Sequence, residues 1–415
     1  MTSFLRITAC LALLSSLFAM APAGAQKFDE LAKTPPLGWN SWNKFGCDVS
    51  EQLIRETADA MVASGLRDAG YRYVNIDDCW QGGRDAHGDL YPDAKRFPSG
   101  IKALADRLHA QGLKLGIYSD VGNKTCGGYP ASRGHEYQDA RTFAAWGVDY
   151  LKYDWCNTEG MDAASSYTTM RDALHATGRP IVFSICEWGD TKPWLWAASV
   201  GHSWRTTGDI APCWNCEQGH GNWASFGVLR IVDMQAAIRK YSGPGHWNDM
   251  DMLEVGNGLT EDEDRAHFTL WSMMNSPLIA GNDLRNMSPT VRATLANRDV
   301  IALGQDPLGI QAFRALAEGE LEVWAKPLAH DEWAVAFLNR GDAPRHLAFD
   351  WNGHAIGDGL SGRTFATDKT TFRWTELWSK TTGSTAQALD SNLPPHSVLV
   401  YRLLPGAAVS APKGS

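Results

Sequence analysis

Acidic side chains recur at the ends of short β-rich segments in this 415-residue chain. These carboxylates are Asp77, Asp78, Asp120, Asp154, Glu187, Asp209, Asp249 and Asp251. A ring of carboxylates has two main uses: it holds a hard metal ion, or it performs acid–base and nucleophilic chemistry on a sugar. A metallohydrolase barrel would bring several histidine ligands to the segment ends, but of the 12 histidines only His246 lies near one. The pattern therefore favours carbohydrate chemistry, with no metal and no cofactor.

Tryptophans accompany the carboxylates. Those in or beside the segment ends are Trp39, Trp42, Trp80, Trp155, Trp188, Trp204 and Trp247. An indole can stack on the apolar face of a pyranose, but a large aromatic side chain is also a common core residue. Both roles stay open for each tryptophan, and we expect at least two of them to line a site.

The elements that position these residues are β-rich segments, each followed by a stretch long enough for a helix. The segments are 37–39, 73–76, 113–118, 148–153, 181–185, 203–206, 246–248 and 277–280. Ile54, Ala58 and Met61 lie on one face of a predicted helix that follows Ser50, a residue type common at helix N-caps. Residues 261–274 show a similar helical pattern. Eight βα units over roughly 250 residues describe a TIM barrel, whose active site lies at the carboxyl ends of its strands.

The pattern changes after about Leu308 to short alternating runs separated by Gly, Asp and Pro turns. The runs are 321–325, 334–338, 346–349 and 397–403. The predicted fold class is therefore α/β, a (β/α)8 TIM barrel followed by a C-terminal antiparallel β-sandwich domain. We place the barrel at 26–307, the β domain at 308–405 and a disordered tail at 406–415.

Residues 1–25 are typical of a secretory signal peptide. Arg6 precedes the apolar run 7–20, which is too short to span a bilayer, and Ala23-Gly24-Ala25 follows. Cleavage after Ala25 would leave a secreted or periplasmic protein with no membrane segment. The net charge of −9 and the lack of Lys or Arg runs argue against nucleic acid as a partner. Whether the protein is a monomer or a homo-oligomer stays open.

The cysteine count is the next constraint. Of 8 cysteines, Cys10 lies in the predicted signal peptide, and the other seven would enter an oxidising compartment. Three disulfides and one free thiol are the natural outcome, with the connectivity open. Cys213 and Cys216 form the only C-x-x-C pair, and a local disulfide explains them better than zinc does.

Seven strings of the chain closely resemble the alpha-galactosidases of glycoside hydrolase family 27. They occupy residues 34–47, 75–80, 113–118, 150–157, 186–189, 204–210 and 247–253. The match covers essentially the whole predicted barrel, and the family's fold is likewise a barrel followed by an antiparallel β domain. The chain departs from the family pattern at Met250, where proline is common, and in the apparent insertion Cys213-Trp214-Asn215-Cys216.

The resemblance implies a secreted, retaining exo-α-galactosidase that acts by double displacement, with Asp154 as nucleophile and Asp209 as general acid/base. A retaining site needs its two carboxyl groups only about 5–5.5 Å apart. We expect Lys152 and Arg205 to hold the pKa of Asp154 down, because nearby cations favour the carboxylate. A purely structural alternative is a pair of buried ion pairs, Asp154 with Lys152 and Asp209 with Arg205.

The resemblance also implies a set of substrate-binding residues. They are Trp42, Asp77, Asp78, Tyr118, Lys152, Cys186, Trp188, Arg205, Asp251 and Met252. Asp77 and Asp78 would accept hydrogen bonds from the axial O4 and the O6 of galactose, and Asp251 with Arg205 would serve the O2 side. The Trp188 indole would leave no room for a 2-acetamido group. The expected substrate is an α-galactoside oligosaccharide or glycoconjugate.

Two disulfides follow from the same resemblance, Cys47–Cys79 and Cys126–Cys156, which leaves Cys186 as the free thiol. Two alternative functions stay open. One is a β-L-arabinopyranosidase of the same family, because that sugar is galactose without its hydroxymethyl group. The other is a catalytically silent carbohydrate-binding barrel, and turnover distinguishes it from an enzyme.

Overall fold

The computed structural model describes residues 27–368 and 370–408. The predicted signal peptide and residues 409–415 lie outside the described residues. None of the helices between residues 27 and 408 combines the length and the apolar content that crossing a bilayer requires.

The first domain is built on eight parallel strands, as predicted. They are β1 (Leu37–Asn40), β2 (Tyr73–Asn75), β3 (Lys114–Asp120), β4 (Tyr150–Asp154), β5 (Val182–Cys186), β6 (Ser203–Arg205), β7 (Trp247–Asp249) and β8 (Leu278–Ala280). They lie in the order β7-β6-β5-β4-β3-β2-β1-β8. A parallel bridge between Leu253, just beyond β7, and Ala280 brings the two outer strands together. The sheet thus curls into the predicted TIM barrel, so the carboxyl ends of all eight strands share one mouth.

Helices follow the strands around the barrel. They are α1 (Trp42–Phe45), α2 (Glu51–Ala63), α3 (Leu66–Ala69), α4 (Gly100–Ala110), α5 (Glu136–Trp146), α6 (Ala163–Ala176), α7 (Val228–Ala236), α8 (Glu261–Met273), α9 (Pro289–Leu295) and α10 (Arg298–Gly304). Helix α2 begins where the sequence predicts, because the Ser50 hydroxyl accepts a hydrogen bond from the Leu53 N–H at 3.2 Å. Thr260 and Glu263 form a reciprocal capping box at the start of α8.

Two glycines permit the close approach of barrel strands. A Cβ on Gly38 of β1 would lie 2.4 Å from the Tyr73 carbonyl oxygen of β2, and a Cβ on Gly116 of β3 would lie 1.8 Å from Asn75 Oδ1. Both distances are too short for a real side chain. Glycine is therefore needed at position 38 for β1 to approach β2, and at position 116 for the Asn75 side chain to lie against β3.

The second domain is antiparallel. Its strands are β9 (Phe313–Glu318), β10 (Leu321–Pro327), β11 (Trp333–Asn339), β12 (Arg345–Phe349), β13 (Ile356–Gly357), β14 (Thr364–Phe365), β15 (Thr370–Glu376), β16 (Thr382–Ser384), β17 (Leu389–Leu393) and β18 (Val398–Ala408). Six of them form the sheet β9-β10-β11-β18-β15-β16, and β12 pairs with β17 and β13 with β14. A separate apolar core around Phe337, Trp351 and Phe365 supports the predicted β-sandwich. The last strand runs to Ala408, so residues 406–408 belong to the sheet rather than to the predicted tail.

Three disulfides join cysteines in the first domain. Cys47 pairs with Cys79, Cys126 with Cys156, and Cys213 with Cys216, as expected. Cys186, at the end of β5, is the buried free thiol of the described residues. The first two pairs tie together the segments that follow β1 and β2, and those that follow β3 and β4.

Candidate active site

Strand register places Asp154 at the barrel mouth. Asp154 ends β4, with Asp120 of β3 as its register partner on one side and Cys186 of β5 on the other. Its side chain is nearly enclosed, and the residue is 6% exposed. The Trp155 N–H donates a 3.0 Å hydrogen bond to Asp154 Oδ1. A carboxylate that is oriented by the backbone and shielded from water is suited to attack on an electrophilic carbon.

The prediction that nearby cations hold the pKa of Asp154 down is wrong. The pKa of Asp154 is raised from 3.8 to about 6: burial raises it most, the charge of Lys152 opposes the rise only in part, and the charges of Asp209 and Asp77 add to the rise. Loss of water around the carboxylate therefore outweighs the neighbouring lysine. Arg205 faces the carboxylates of Asp209 and Asp251 instead.

Arg205 links the second predicted catalytic residue to the site. Its Nη2 lies 3.0 Å from Asp209 Oδ1 and 3.0 Å from Asp251 Oδ2. The side chains of Arg205 and Asp251 are 4% and 5% exposed, whereas that of Asp209 is 41% exposed. Asp209 is therefore open to solvent, unlike Asp154. Of the two alternative ion pairs, the described residues form the one between Asp209 and Arg205, whereas Lys152 pairs with a different carboxylate.

Lys152 pairs across the barrel mouth with Asp77. Its Nζ lies 2.8 Å from Asp77 Oδ2, and Asn40 Nδ2 donates to the same oxygen at 2.7 Å. The ammonium also lies 5.2 Å from the centroid of the Tyr118 ring. The Asp78 N–H donates to the other oxygen, Asp77 Oδ1, at 2.9 Å. With three fixed donors, the carboxylate still keeps a lone pair for a hydroxyl of a sugar.

Asp78 is held by backbone donors from two loops. Its Oδ1 accepts from the Cys79 N–H at 2.6 Å and its Oδ2 from the Gly127 N–H at 2.7 Å. Burial raises the pKa of Asp78 although both hydrogen bonds oppose the rise. The two donors belong to the segments that carry the Cys47–Cys79 and Cys126–Cys156 disulfides, so those disulfides brace the position of this carboxylate.

A polar cavity opens among the strand ends. Its lining comprises Asn40, Asn75, Tyr150, Lys152, Ser184, Cys186, Arg205, Asp249, Asp251, Met252 and Ile279. Five of the predicted binding residues are in that set. Arg205 Nη1 lies 3.8 Å from Cys186 Sγ, which places the free thiol against the guanidinium.

The seven tryptophans divide into two groups. Trp39, Trp80, Trp204 and Trp247 are fully buried and belong to the core, whereas Trp42, Trp155 and Trp188 are half-buried. Trp188 follows β5 and has the left-handed φ of +58°, and Gly189 after it has a φ of +85°. This sharp turn directs the chain away from the barrel immediately after Cys186.

Sequence reasoning missed several polar residues of the cavity, namely Asn40, Asn75, Tyr150 and Ser184. A signal for two of them exists, because alternate residues of a strand point to the same face. Tyr150 stands two residues before Lys152, and Ser184 two before Cys186. A search for carboxylates alone could not find them.

Asp120 is a third carboxyl beside Asp154. Its Oδ1 accepts from the Gly122 N–H at 2.7 Å and its Oδ2 from the Cys156 N–H at 2.9 Å. Burial and the charge of Asp154 raise the pKa of Asp120 to about 8. Within the described residues, the single group close enough to share a metal is Asp120 with Cys126 and Cys156, but these two sulfurs are bonded to each other. Asp120 is thus an acceptor that orders the loop behind Asp154.

A larger cleft lies between the β-sandwich and helices α8 to α10. Arg265, Asn297 and Trp378 are among its lining residues. It contains none of the predicted site residues, so the candidate active site is the smaller cavity at the barrel mouth.

Comparisons with known proteins identify the family of the chain. The family model described as alpha galactosidase A matches residues 34–306, and the alpha galactosidase C-terminal beta sandwich domain matches residues 318–403. The chain is 61% identical over 395 residues to the alpha-galactosidase A of Cellvibrio japonicus, covering 95% of this chain and 98% of the relative.

Two solved structures are close in fold. The alpha-galactosidase I of Mortierella vinacea has a TM-score of 0.85, with 38% identity over 92% of this chain and 100% of that chain. An alpha-galactosidase from Saccharomyces cerevisiae, solved with raffinose, has a TM-score of 0.84, with 32% identity over 92% of this chain and 100% of that chain.

Proposed function

This chain belongs to glycoside hydrolase family 27 and is an alpha-galactosidase, and on that premise we propose that it releases terminal α-galactosyl residues with retention of configuration, through Asp154 and Asp209. The observation that carries the proposal is the contrast between these two carboxyl groups at one barrel mouth. Asp154 is enclosed and backbone-oriented, whereas Asp209 is solvent-accessible and held by Arg205. Retaining glycosidases divide the work between a nucleophile and an acid/base in this way.

In the first step, a carboxylate oxygen of Asp154 attacks the anomeric carbon of the galactose from the face opposite the leaving group. The bond between that carbon and the glycosidic oxygen breaks, and its electron pair stays on the oxygen. Protonated Asp209 donates its proton to that oxygen, so the leaving group departs as a neutral alcohol. The product is a galactosyl ester of Asp154, and Asp209 is now a carboxylate.

In the second step, Asp209 takes a proton from a water molecule as the water oxygen attacks the same anomeric carbon. The ester bond to Asp154 breaks, and its electron pair returns to the carboxylate. Two inversions give net retention, and both aspartates regain their starting protonation states. The two aspartates, the substrate and one water molecule together account for every proton and electron pair.

Recognition of galactose follows from the fixed charges. Asp77, with Lys152 and Asn40 on one oxygen, and the adjacent Asp78 would accept hydrogen bonds from O4 and O6. A glucose-configured ring would leave these buried acceptors unpaired, which costs about 1–3 kcal/mol per group and more for a charge. Asp251 and Arg205 would contact the O2 side, near the half-buried Trp188.

The experiment measures the rates at which residues 26–415 hydrolyse an aryl α-D-galactoside, an aryl α-N-acetylgalactosaminide and an aryl β-L-arabinopyranoside. EDTA is present throughout, and Asp154→Asn is the matched control. We expect rapid hydrolysis of the α-D-galactoside, which is lost in Asp154→Asn. Faster cleavage of the β-L-arabinopyranoside would mean that the contacts assigned to O6 are wrong. No cleavage of any substrate by the unaltered chain would refute the proposal and favour a binding protein.

Secretion is a second part of the proposal. Lys27, two residues after Ala25, donates from Nζ to the carbonyl oxygens of Gly201 at 2.8 Å and Gly245 at 2.6 Å. These contacts support cleavage after Ala25, because the mature chain would keep Lys27 and its attachment to the barrel. N-terminal sequencing of exported protein should start at Gln26, and a start at Met1 would contradict cleavage.

A further inference from the structure

A short hairpin interrupts the chain between β6 and α7. Its strands, Glu217–Gly219 and Ala224–Phe226, pair in antiparallel fashion directly after the Cys213–Cys216 disulfide. Trp223 at its tip is 50% exposed, and it is the sole tryptophan with that degree of exposure in the part of the chain that the structure describes. The other indoles described there are buried or half-buried, so this one lacks a structural explanation.

The Trp223 ring is held in place despite its exposure. His220 stacks on it with ring centroids 4.1 Å apart and an interplanar angle of 27°. His220 is itself fixed, since its Nε2 lies 3.0 Å from Ser225 Oγ and its backbone N–H donates to the Trp223 carbonyl at 2.8 Å. An exposed aromatic ring that is fixed before any ligand arrives loses little conformational entropy on binding.

The hairpin is attached to the segment that carries Asp209. The Phe226 N–H donates to the Asp209 carbonyl oxygen at 2.9 Å, and Ile210 forms a parallel bridge with Phe226. The Ala224 carbonyl oxygen packs so closely on Gly208 that a Cβ there would lie 2.4 Å from it. Trp223 therefore adjoins residues that contact the backbone on both sides of Asp209.

We propose that Trp223, oriented by His220, is the platform on which the leaving sugar of an oligosaccharide α-galactoside stacks. The inference rests on the proposed function, because Asp209 protonates the oxygen that joins galactose to its leaving group. The leaving sugar must then lie on the Asp209 side of the site, which is the side to which the hairpin is attached. The apolar face of a pyranose is the complementary surface for an aromatic ring that has one face free.

The test compares two donors that differ only beyond the glycosidic bond. Raffinose has a sucrose leaving group, whereas methyl α-D-galactoside releases methanol, which needs the same proton from Asp209 but is too small to reach a platform. Trp223→Ala should lower the ratio of kcat/KM for raffinose to kcat/KM for methyl α-D-galactoside by about tenfold, as expected for loss of one stacking contact. Trp223→Phe, which keeps a ring, should retain most of the ratio, and His220→Ala should lower it by a smaller factor.

Leu360→Ala is the matched control, because Leu360 is 47% exposed but lies in the β-sandwich. This variant should leave the ratio unchanged. An equal loss of kcat/KM on both donors in Trp223→Ala would overturn the platform, since it would mean damage to Asp209 rather than loss of a leaving-group contact. An unchanged ratio would overturn it as well. If the unaltered enzyme hydrolysed neither donor, the proposed function itself would fail, which is a different result from either of these.

Discussion

Replacement of Asp209 by asparagine separates proton transfer from every other role of this residue. The amide would keep the shape of the native side chain, and its oxygen could still accept from Arg205 Nη2, which lies 3.0 Å from Asp209 Oδ1. Arg205 also keeps its pairing with Asp251 at 3.0 Å. Because the Asp209 side chain is 41% exposed, the lost ion pair should cost less than about 1 kcal/mol of stability. The fold should therefore survive while the transferable proton is removed.

The size of the kinetic loss depends on the leaving group. General acid catalysis contributes about 10²–10⁴-fold, or roughly 3–5 kcal/mol of the activation barrier. We expect Asp209→Asn to lose that factor in kcat/KM with raffinose, whose leaving alkoxide needs the proton. α-D-Galactosyl fluoride needs little protonation, so its kcat/KM should fall far less. Removal of the Asp209 charge should also lower the pKa of Asp154, since that charge raises it in the native enzyme.

Steady-state kinetics on both donors, with and without azide, give the readout. Azide attacks the galactosyl-enzyme without a general base, so it should restore turnover of the fluoride by Asp209→Asn and yield α-galactosyl azide. In Asp154→Gly, azide would replace the missing nucleophile and yield the β anomer. Equal losses on the two donors, or β-galactosyl azide from Asp209→Asn, would refute the assignment of Asp209 as acid/base.

Three further predictions follow from the same geometry. The kcat/KM of the unaltered enzyme should fall about tenfold per pH unit below about pH 6, because the pKa of Asp154 is about 6 and only the carboxylate attacks. A pH–rate profile measures this fall. A flat profile from about pH 6 to pH 4 would contradict the prediction. Since the folded protein raises that pKa above its unfolded value of 3.8, ionisation of Asp154 destabilises the fold as pH rises between about 4 and 6, by up to about 3 kcal/mol above pH 6. Asp154→Asn should thus raise the Tm at about pH 7 but not at about pH 4, and equal Tm differences at both pH values would exclude this origin. Trp188→Ala should hydrolyse aryl α-N-acetylgalactosaminide. If this variant kept its α-galactosidase activity but did not hydrolyse the α-N-acetylgalactosaminide, Trp188 would not be the barrier to the acetamido group.

The strands of the barrel could be predicted because each is a short apolar segment that ends in polar residues. The position of Asp154 beside its neighbours on β3 and β5 could then be predicted from one rule, because the carboxyl ends of parallel barrel strands lie together. The order of the second domain could not be predicted in this way. β18, the last strand, lies between β11 and β15, and alternation of apolar residues contains no information on which strands become neighbours.

The electrostatics of the site could not be predicted from spacing. Lys152 is two residues from Asp154, so both side chains point to one face of β4, yet Lys152 reaches across to Asp77. The pKa of Asp154 depends on the total loss of water around it, which only the packed structure defines. The shape of the Trp223 hairpin likewise depends on contacts with Gly208 and Asp209 that no local pattern encodes.

The most direct test of the account is to trap the galactosyl-enzyme. A fluorinated galactosyl fluoride whose ester intermediate turns over slowly would be incubated with the enzyme, and a protease digest would be examined by tandem mass spectrometry. The account predicts one galactosyl adduct per chain, on the Asp154 carboxylate, with loss of activity in proportion to labelling. An adduct on another carboxylate, or active turnover of the reagent with inverted configuration and no adduct, would contradict the assignment of Asp154 as nucleophile.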